Sequence, residues 1–501
     1  MRHEAGEHLS MMPGTPERSG ELIIEAWAAL ASDASDAGPD AGPAEPAEPV
    51  EVTGGGGDLR SRLPVEDVAV ACAGVALAAA SALRRRRGGS GGRASLDRGH
   101  VAAAVRSERH FRGSAERAAA GFAPLSRFWR AADGWVRTHA NYPWHRAALL
   151  STLGTPDDPD AVAAAMAERR AEDVEDEVFA AGGVAGAVRS LDTWQAHPQG
   201  QALAREPLIG HRIAGEAAPR ARAPAELPAA GVRVLDLTRV IAGPVCTRYL
   251  SALGAHVLRV DPPRHLDMRP GAVADTLLGK RSAMLDLRSR LGAATLHGLL
   301  DGADVVVCGY RPGALDRFGL TEGALAERHP GVVVVYLDAW GHTGPWAARR
   351  GFDSIVQAPT GIAMIESTNG DEPGVLPCQL LDHGTGYLAA AAALDGLRRQ
   401  VDQGGTHVRH VSLARTARWL IASRPAPAAP EGPRRSSSRR AHPGGHVDAD
   451  RDGPLPWLVE LGGPHGPVTA VRPPGRLGSR RLEWPLPLTG YGVDPPSWAS
   501  R

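Results

Sequence analysis

Short apolar runs alternate with helical segments between residues 231 and 425, and this alternation limits the possible folds more than any other feature of the sequence. Strands are predicted at 232–237, 256–260, 281–287, 304–308 and 332–337. The spacing of apolar residues between them predicts helices, including 245–253 and 291–300. Strands that alternate with helices favour an open parallel sheet that binds ligands at the carboxyl ends of its strands. The sequence therefore predicts an α/β fold for this part of the chain.

The rest of the 501-residue chain divides by composition and pattern into further segments. They are a mostly disordered start with one isolated helix at 21–31 (1–60), a helical segment (61–118), a smaller α-rich α+β domain (119–215), a Pro- and Ala-rich linker (216–230) and an irregular tail (426–501). Residues 425–455 are rich in Pro, Arg and Ser and are predicted to be disordered. Further helices are predicted at 97–110, 144–153, 160–169 and 171–181, and a short strand at 184–188.

Charge and cysteine usage exclude several classes of protein. The 56 basic and 56 acidic residues balance, so no strong attraction to nucleic acid is expected. The four cysteines are far apart and form no CxxC pair, which argues against a metal site or a disulfide framework and favours the cytoplasm. The apolar run 68–83 is mostly Ala and has 16 residues, fewer than the roughly 20 of a membrane span, so it is predicted to be a buried helix.

Two alanine-rich helices resemble each other. The run 77–83 reads LAAASAL, and 388–394 reads LAAAAAL. Each is followed by Arg residues, a Gly pair and then Ser-Leu. The segment 61–118 is therefore interpreted as an echo of 380–425, either by partial duplication or because low-complexity helices resemble each other by chance. An ungapped overlay places Ala71 opposite Asp382.

Asp382 stands between a Gly-, Asp- and Pro-rich loop and a helix predicted at 388–397. Gly384, Thr385 and Gly386 follow it and add little bulk, so a ligand could approach the backbone closely. The free N–H groups of a helix N-terminus also favour negative charge. A plain helix cap is the alternative interpretation.

Several strand-end loops carry groups suited to a nucleotide. The stretch 236–244 joins a strand to a helix and could hold a phosphate, but it lacks the GxGxxG pattern of a classical NAD site. Asp261 ends the second strand, where an acidic group often meets a ribose hydroxyl, although a simple turn is an equal alternative. Tyr310 offers an aromatic face for a base, and Arg311 and Arg317 offer charge for phosphates.

Taken together and in this order, the motifs of 232–413 resemble the family III CoA-transferases, the CaiB/BaiF and carnitine dehydratase type. The matching pieces are LDLTRVIAGP, LGAHVLRVDPP, GKRSAMLDLR, ADVVVCGYRPGALDRFGL, GHTGPWAARRGFDSIVQAPTG and the Asp382 segment. The resemblance implies a Rossmann-like, CoA-binding catalytic domain at 231–425. It also implies that 119–215, with its DGW, AGGVAGAV and HPQG motifs, is similar to the family's small domain. The small domain precedes the catalytic domain here, which suggests a degenerate tandem or a permuted chain.

The resemblance implies roles for individual residues. Asp382 would be the nucleophile that forms an aspartyl anhydride and then an aspartyl-CoA thioester, with acyl-CoA as donor and a carboxylic acid as acceptor. No metal and no permanently bound cofactor are implied. Arg317 and Arg350 are the best candidates for the CoA phosphates. The implied CoA contacts are Ile241, Ala242, Asp261, Leu285, Asp286, Leu287, Arg288, Gly309, Tyr310, Arg311, Arg317, Arg350, Gly351, Phe352 and Asp353.

Two alternatives stay open at the level of sequence. The family also contains racemases of 2-methylacyl-CoAs, which pair the Asp with a His where this chain has Phe352. Phe cannot move a proton, which disfavours this chemistry unless His383 substitutes. The other alternative is a catalytically weak CoA-binding paralogue. It is motivated by the segment 61–118, which would be a truncated first copy of 380–425. The resemblance also leaves open whether two chains interlock as a homodimer or the fusion replaces that arrangement.

Overall fold

A computed structural model describes residues 15–32, 49–56, 58–89, 92–113, 122–264, 266–267, 270–425 and 456–498. The disorder predicted for 425–455, like much of that predicted for 1–60, lies almost wholly outside these residues. The first elements are α1 (Pro16–Ala31), β1 (Glu51–Thr53), α2 (Val65–Arg86), β2 (Ala94–Asp97), α3 (Arg98–Ala104), α4 (Ser107–His110) and β3 (Arg112–Gly113).

Helix α1 is longer than predicted and is not isolated. Its buried side chains, among them Leu22 and Ile23, pack against α2. Ile23 lies over Gly74, where an added Cβ would come within 2.5 Å of its Cδ1. The helix predicted at 97–110 is confirmed in part, because it consists of two helices, α3 and α4, interrupted at Val105 and Arg106. Asp97 ends β2, and its side chain accepts a hydrogen bond from the His100 N–H at the start of α3.

The second group of elements forms a small antiparallel sheet with helices. It consists of β4 (Phe128–Arg130), β5 (Trp135–Thr138), α5 (Pro143–Leu153), α6 (Pro159–Ala167), α7 (Ala171–Ala180), β6 (Ala185–Ala187), α8 (Leu191–Ala196), α9 (Pro198–Ala204) and β7 (Gly210–Gly215). The three helices and the strand predicted in this region are confirmed to within a few residues. Strands β4, β5 and β6 pair in that order, and Trp129, Val136 and Val174 form their core with α6 and α7.

The third group builds the large sheet. Its elements are β8 (Arg233–Leu237), α10 (Ala242–Ala252), β9 (His256–Asp261), α11 (Pro270–Leu277), β10 (Arg281–Met284), α12 (Arg290–Asp301), β11 (Val305–Cys308), α13 (Glu322–Arg328), β12 (Val333–Asp338), α14 (Asp353–Val356), α15 (Ile362–Ile365), α16 (Leu380–Gln403), β13 (Thr406–Ser412) and α17 (Leu413–Ala422). The strand order is β10-β9-β8-β11-β12-β13-β7. All neighbours are parallel except β13 and β7, which confirms the predicted α/β fold with a mostly parallel sheet.

The large sheet has two features that the sequence did not predict. Strands β13 and β7 extend it, and β7 comes from the end of the segment assigned to the small domain. The strand order also reverses in the middle of the sheet. Strands β9 and β10 are added on one side of β8, and β11, β12 and β13 are added on its other side. Such a reversal opens a crevice between the loops that follow β8 and β11. The two loops are close, since an added Cβ on Gly309 would lie 3.0 Å from Thr238.

Helix α16 packs under this sheet and is buried along most of its length. Its neighbours are α2 on one side and α10 on the other. Ala side chains let the three backbones approach closely, which explains why both α2 and α16 are rich in Ala. Within the described residues α2 is the one helix long and apolar enough to cross a membrane, and 94% of its most apolar stretch is buried inside the protein.

The tail predicted to be irregular contains four short strands. They are β14 (Leu458–Leu461), β15 (Val468–Val471), β16 (Arg476–Leu477) and β17 (Arg480–Arg481). Strand β15 pairs with β3, and β16 pairs with β2, so the C-terminal segment is joined to the N-terminal one by backbone hydrogen bonds. This pairing was not readable from the sequence, because the partners are more than 350 residues apart.

We expect Gly386→Ala to destabilise the protein by about 1–3 kcal/mol. An added Cβ would lie 2.5 Å from the Ala242 carbonyl oxygen and 2.8 Å from Val245 Cβ, and backbone at this helix crossing cannot move aside cheaply. Gly298→Ala in α12 is the matched control, because nothing lies within 4 Å of its Cβ position. Chemical denaturation should show the control stabilised by about 0.5–1 kcal/mol. Equal effects of the two substitutions would contradict this packing.

Candidate active site

Asp382 lies in the first turn of α16 and is only 4% exposed. Its Oδ2 atom is buried and has no hydrogen-bond partner among the described residues. Asp382 and Gly386 are four residues apart and share one face of the helix. Because Gly386 touches Ala242, this face is directed at the start of α10, beside the crevice between β8 and β11.

The open surroundings predicted for Asp382 are wrong. Gly384 faces α2, where an added Cβ would lie 3.2 Å from Cys72 Sγ, and Gly386 faces α10. Both glycines therefore serve helix packing and not the approach of a ligand. Gly384, Thr385 and Gly386 also lie inside α16, so their N–H groups bond within the helix and are not the free donors that were expected.

The N-terminus of α16 is held by Asp353, which lies in the first turn of α14. The Asp382 N–H donates to Asp353 Oδ2 at 3.1 Å. The Gln357 side-chain amide donates to the other oxygen, and the Gln357 Oε1 accepts from the Leu376 N–H at 3.0 Å. Burial raises the pKa of Asp353 to about 6, against the lowering effect of the N–H donors.

Four titratable groups meet at this helix end. Burial raises the pKa of Asp382 well above its ordinary value, and the negative charges of Asp353 and Glu108 raise it further. Glu108 Oε2 lies 3.1 Å from His383 Nε2. Burial alone would raise the pKa of Glu108, but its hydrogen bond and charge interaction with His383 outweigh burial and lower it.

These environments separate the two aspartates chemically. Asp353 accepts several hydrogen bonds and is the better supported anion, whereas Asp382 has an unpaired oxygen and holds a proton more tightly. Once ionised, Asp382 is a poorly solvated carboxylate with a free oxygen, which is what a nucleophile requires.

Other residues predicted to contact CoA follow strands of the large sheet. Ile241 and Ala242 are buried at the start of α10. Gly309 and Tyr310 follow β11, and burial raises the pKa of the Tyr310 hydroxyl. Arg311 and Arg317 are exposed, and the Arg317 guanidinium lies 4.7 Å from the centre of the Phe318 ring.

Asp261 and the residues after β10 are placed differently. Asp261 is fully buried, and both of its oxygens accept hydrogen bonds from Arg259, at 2.7 and 3.0 Å. This pairing occupies both oxygens of the carboxylate. The predicted contact of Asp261 with a ribose stays a prediction. Leu285 and Leu287 pack at the sheet edge, while Asp286 and Arg288 form an exposed pair with each other at 3.0 Å.

The loop after β12 brings Arg350, Gly351 and Phe352 to the small sheet. Arg350 is half-buried, and its pKa is lowered by burial and by the charge of Arg311. Gly351 packs against Ala339 and Trp340. The Phe352 ring stacks on His139 at a centroid distance of 3.8 Å.

Sequence reasoning missed Glu108, His139, His145 and Arg239 as members of this region. A signal existed for the histidines, since residues 138–146 read THANYPWHR, a concentration of polar and aromatic residues directly after a strand. Glu108 carried no such signal, because its neighbour His383 is 275 residues away.

Comparison with known proteins shows which family this chain is similar to. A model of CoA-transferase family III matches residues 229–456. An acyl-CoA transferase of Gibberella moniliformis is 32% identical over 304 residues, which are 56% of this chain and 53% of that protein. The succinyl-CoA–L-malate CoA-transferase beta subunit of Chloroflexus aurantiacus is 35% identical over 191 residues, 36% of this chain and 47% of that one. A crystal structure of a Mycobacterium tuberculosis protein covers 39% of this chain and 56% of its own, with 32% identity and a TM-score of 0.37.

Residues 229–456 are therefore similar to CoA-transferase family III. The region contains Asp353, Asp382 and the six parallel strands β8 to β13 of the large sheet. The chain spans about half the length of the curated relatives described above.

We expect Asp382→Asn to stabilise the folded protein, by about 1–3 kcal/mol at about pH 8, because it removes a buried and unpaired carboxylate. The folded-state pKa of Asp382 is raised, so wild type loses stability as the pH rises from the ordinary Asp pKa through the raised one. The gain in melting temperature should therefore be larger at about pH 8 than at about pH 5. Asp192→Asn, at an exposed position in α8, is the control and should show no such trend. A gain that grows as the pH falls would contradict the assignment.

Proposed function

We propose that the protein transfers CoA from an acyl-CoA to a carboxylic acid, with Asp382 as the nucleophile. The observation that carries this proposal is the unpaired, buried Oδ2 of Asp382 on the helix face directed at the start of α10, beside the crevice. The family assignment of 229–456 supports the same chemistry, since relatives in this family are named as CoA-transferases.

The proposed reaction has two symmetric halves. An Asp382 oxygen attacks the thioester carbonyl carbon, the carbon–sulfur bond breaks, and CoA leaves as thiolate. The thiolate then attacks the aspartyl carbonyl carbon of the mixed anhydride, which releases the donor acid and leaves an aspartyl-CoA thioester. An acceptor carboxylate attacks that thioester to form a second anhydride and CoA thiolate. Attack of the thiolate on the acceptor carbonyl carbon gives the new acyl-CoA and regenerates Asp382.

The large sheet would bind CoA at its crevice. The strand order from β10 to β13 is the 3-2-1-4-5-6 order of a Rossmann-like sheet, which binds nucleotides where the order reverses. Arg311, Arg317 and Arg350 lie on the loops after β11 and β12, and their charges suit the CoA phosphates. Arg311 and Arg350 are close enough for one charge to lower the pKa of the other, which an anion between them would relieve.

The small antiparallel sheet and its helices, called the small unit here (residues 119–215), would complete the site within the same chain. Its strand β6 lies against α14, where an added Cβ on Gly186 would be 3.3 Å from the Ile355 carbonyl oxygen. The Arg189 N–H also donates to the Ala358 carbonyl oxygen at 3.2 Å. We therefore propose that residues 119–215 act as the small domain for Asp382 of the same chain, and that 61–118 is a partial copy with Ala71 in place of Asp382.

We expect incubation with acyl-CoA to produce a covalent modification of Asp382 that hydroxylamine removes. Anhydrides and thioesters of a carboxylate react with hydroxylamine, whereas the unmodified side chain does not. Peptide mass spectrometry should locate the modification at Asp382. It should be absent in Asp382→Ala and present in Asp192→Asn, an exposed aspartate far along the chain.

Two other outcomes would overturn the proposal. Binding of CoA without any adduct would identify a CoA-binding paralogue without turnover. Entry of solvent deuterium at C2 of a 2-methylacyl-CoA, without exchange of CoA, would identify a racemase. In that case the His383–Glu108 pair beside Asp382 would be the second titratable unit to examine.

We expect the rate of adduct formation to rise with pH, because Asp382 must lose its proton before it attacks and its pKa is raised. Asp353→Asn removes a neighbouring negative charge while keeping an oxygen for the Asp382 N–H, so its profile should shift toward lower pH. Glu108→Gln should shift the profile in the same direction by less, since Asp353 is the larger of the two charge effects. Single-turnover rates measured from about pH 5 to 9 would test this. A shift of the Asp353→Asn profile toward higher pH would contradict the assigned pair.

A further inference from the structure

Three side chains near Phe352 have buried nitrogen atoms that lack a hydrogen-bond partner among the described residues. His139 and His145 are 5% and 4% exposed, and the Nδ1 atom of each is buried without a partner among the described residues. In the same part of the structure, Arg239 Nε and Nη2 are also buried and unpartnered. Buried polar atoms are almost always satisfied in proteins, so a group of unpaired nitrogens at one place indicates a polar ligand.

These side chains surround one aromatic ring. Tyr142 lies 5.4 Å from the ring centre of His145 and 6.2 Å from that of His139, and the Arg239 guanidinium lies 5.6 Å from the Tyr142 ring centre. Phe352 closes the group by stacking on His139. Solvent reaches the cluster from the side of Arg239 and Phe352, which are both partly exposed.

Arg239 has an acidic neighbour but no direct hydrogen bond to it. Asp267 is the nearest acid, and it already accepts from Arg259 and from the Tyr142 hydroxyl, both at 2.6 Å. Arg239 Nε remains 4.0 Å from Asp267 Oδ1, beyond hydrogen-bonding distance. Burial, followed by the charges of Arg350 and Arg239, lowers the pKa of His145 to about 4. Arg350 therefore also lies near this side of the cluster.

Neutral histidines suit such a site. Burial lowers the pKa of His139 to about 3, so both imidazoles are uncharged and each can present one N–H to an acceptor. The guanidinium of Arg239 adds two donors in one plane, which matches the two oxygens of a carboxylate.

The backbone is strained where it places Arg239. Val240 has φ +67°, and it is the one residue other than glycine with positive φ among the described residues. This conformation is costly for a β-branched side chain and persists only where surrounding contacts enforce it. One such contact is the Val240 N–H, which donates to Asp267 Oδ2 at 3.1 Å. Strain of this kind is concentrated at ligand sites.

We propose that Arg239, His139 and His145 bind the carboxylate of the acid that accepts CoA, an inference that rests on the proposed function. The position is suitable because Phe352, which stacks on His139, directly precedes Asp353, the residue that holds Asp382 in place. The acid would therefore bind between the small unit and the large sheet, beside the nucleophile. The substrate class is a carboxylic acid that reaches the cluster as its anion.

Calorimetric titration of the full-length protein with succinate, in the absence of CoA, tests the site directly. We expect saturable binding that Arg239→Gln weakens by about tenfold or more, and that His145→Asn weakens by about threefold or more. Arg130→Gln and His256→Asn are matched controls at exposed positions outside the cluster and should leave binding unchanged. Circular dichroism and melting temperature would show that each variant is folded, and the two cluster variants report independently.

Absence of saturable succinate binding, or binding that neither cluster variant changes, would overturn the proposal. The other result to consider is tighter binding of inorganic phosphate than of succinate, with the same dependence on Arg239. That result would also overturn the proposal, because it would show that the cluster binds a phosphate of CoA. The Asp382 adduct separates this inference from the proposed function. Arg239→Gln should still form the adduct with acyl-CoA and should lose CoA transfer to the acid. Failure of wild type to form the adduct would overturn the proposed function and leave the succinate result to stand by itself.

Discussion

The hydrogen bond from the Asp382 N–H to the Asp353 carboxylate is the interaction on which the candidate site depends. It joins the first turn of α16 to the first turn of α14 and places two carboxylates beside each other in a buried environment. Burial is the main reason that the pKa of Asp382 is raised, and the same contact adds to it, because two like charges at short range cannot both ionise easily. It also connects Asp382 to the small unit, since Phe352 precedes Asp353 and stacks on His139.

Close packing of small residues keeps this helix end in position. Helix α16 lies between α2 and α10, and at Gly384 and Gly386 even a methyl group would meet neighbouring atoms within 3.2 Å. A buried carboxylate is unfavourable by itself, so the surrounding helices must supply the stability that holds it. The closely packed interface of small residues supplies this stability without bringing further polar groups toward Asp382.

Elements with a strong local pattern could be predicted from the sequence. The parallel strands β8 to β12 and the helices of the small unit were predicted to within a few residues, because their apolar spacing records which face is buried. Strand β7 and the tail strands could not be predicted, since their partners are distant in the chain. The break between α3 and α4 was not predicted because the composition of 97–110 is helical throughout. The strand at 94–97 was not predicted because its partners, β1 and β16, lie outside this segment.

The sequence by itself determined the α/β class, the order of the strand-end loops and the similarity of 229–456 to CoA-transferase family III, because each of these is recorded in local spacing or in contiguous motifs. It also singled out Asp382 as the residue on which the proposed chemistry depends. Only the tertiary structure decided what surrounds that residue. Asp353, Glu108 and the histidine pair come from three separate segments, and the pKa of a carboxylate depends on the groups within a few ångströms of it. The glycines beside Asp382 illustrate the difference, because their sequence context suggested an approach for a ligand and their neighbours in space are helices.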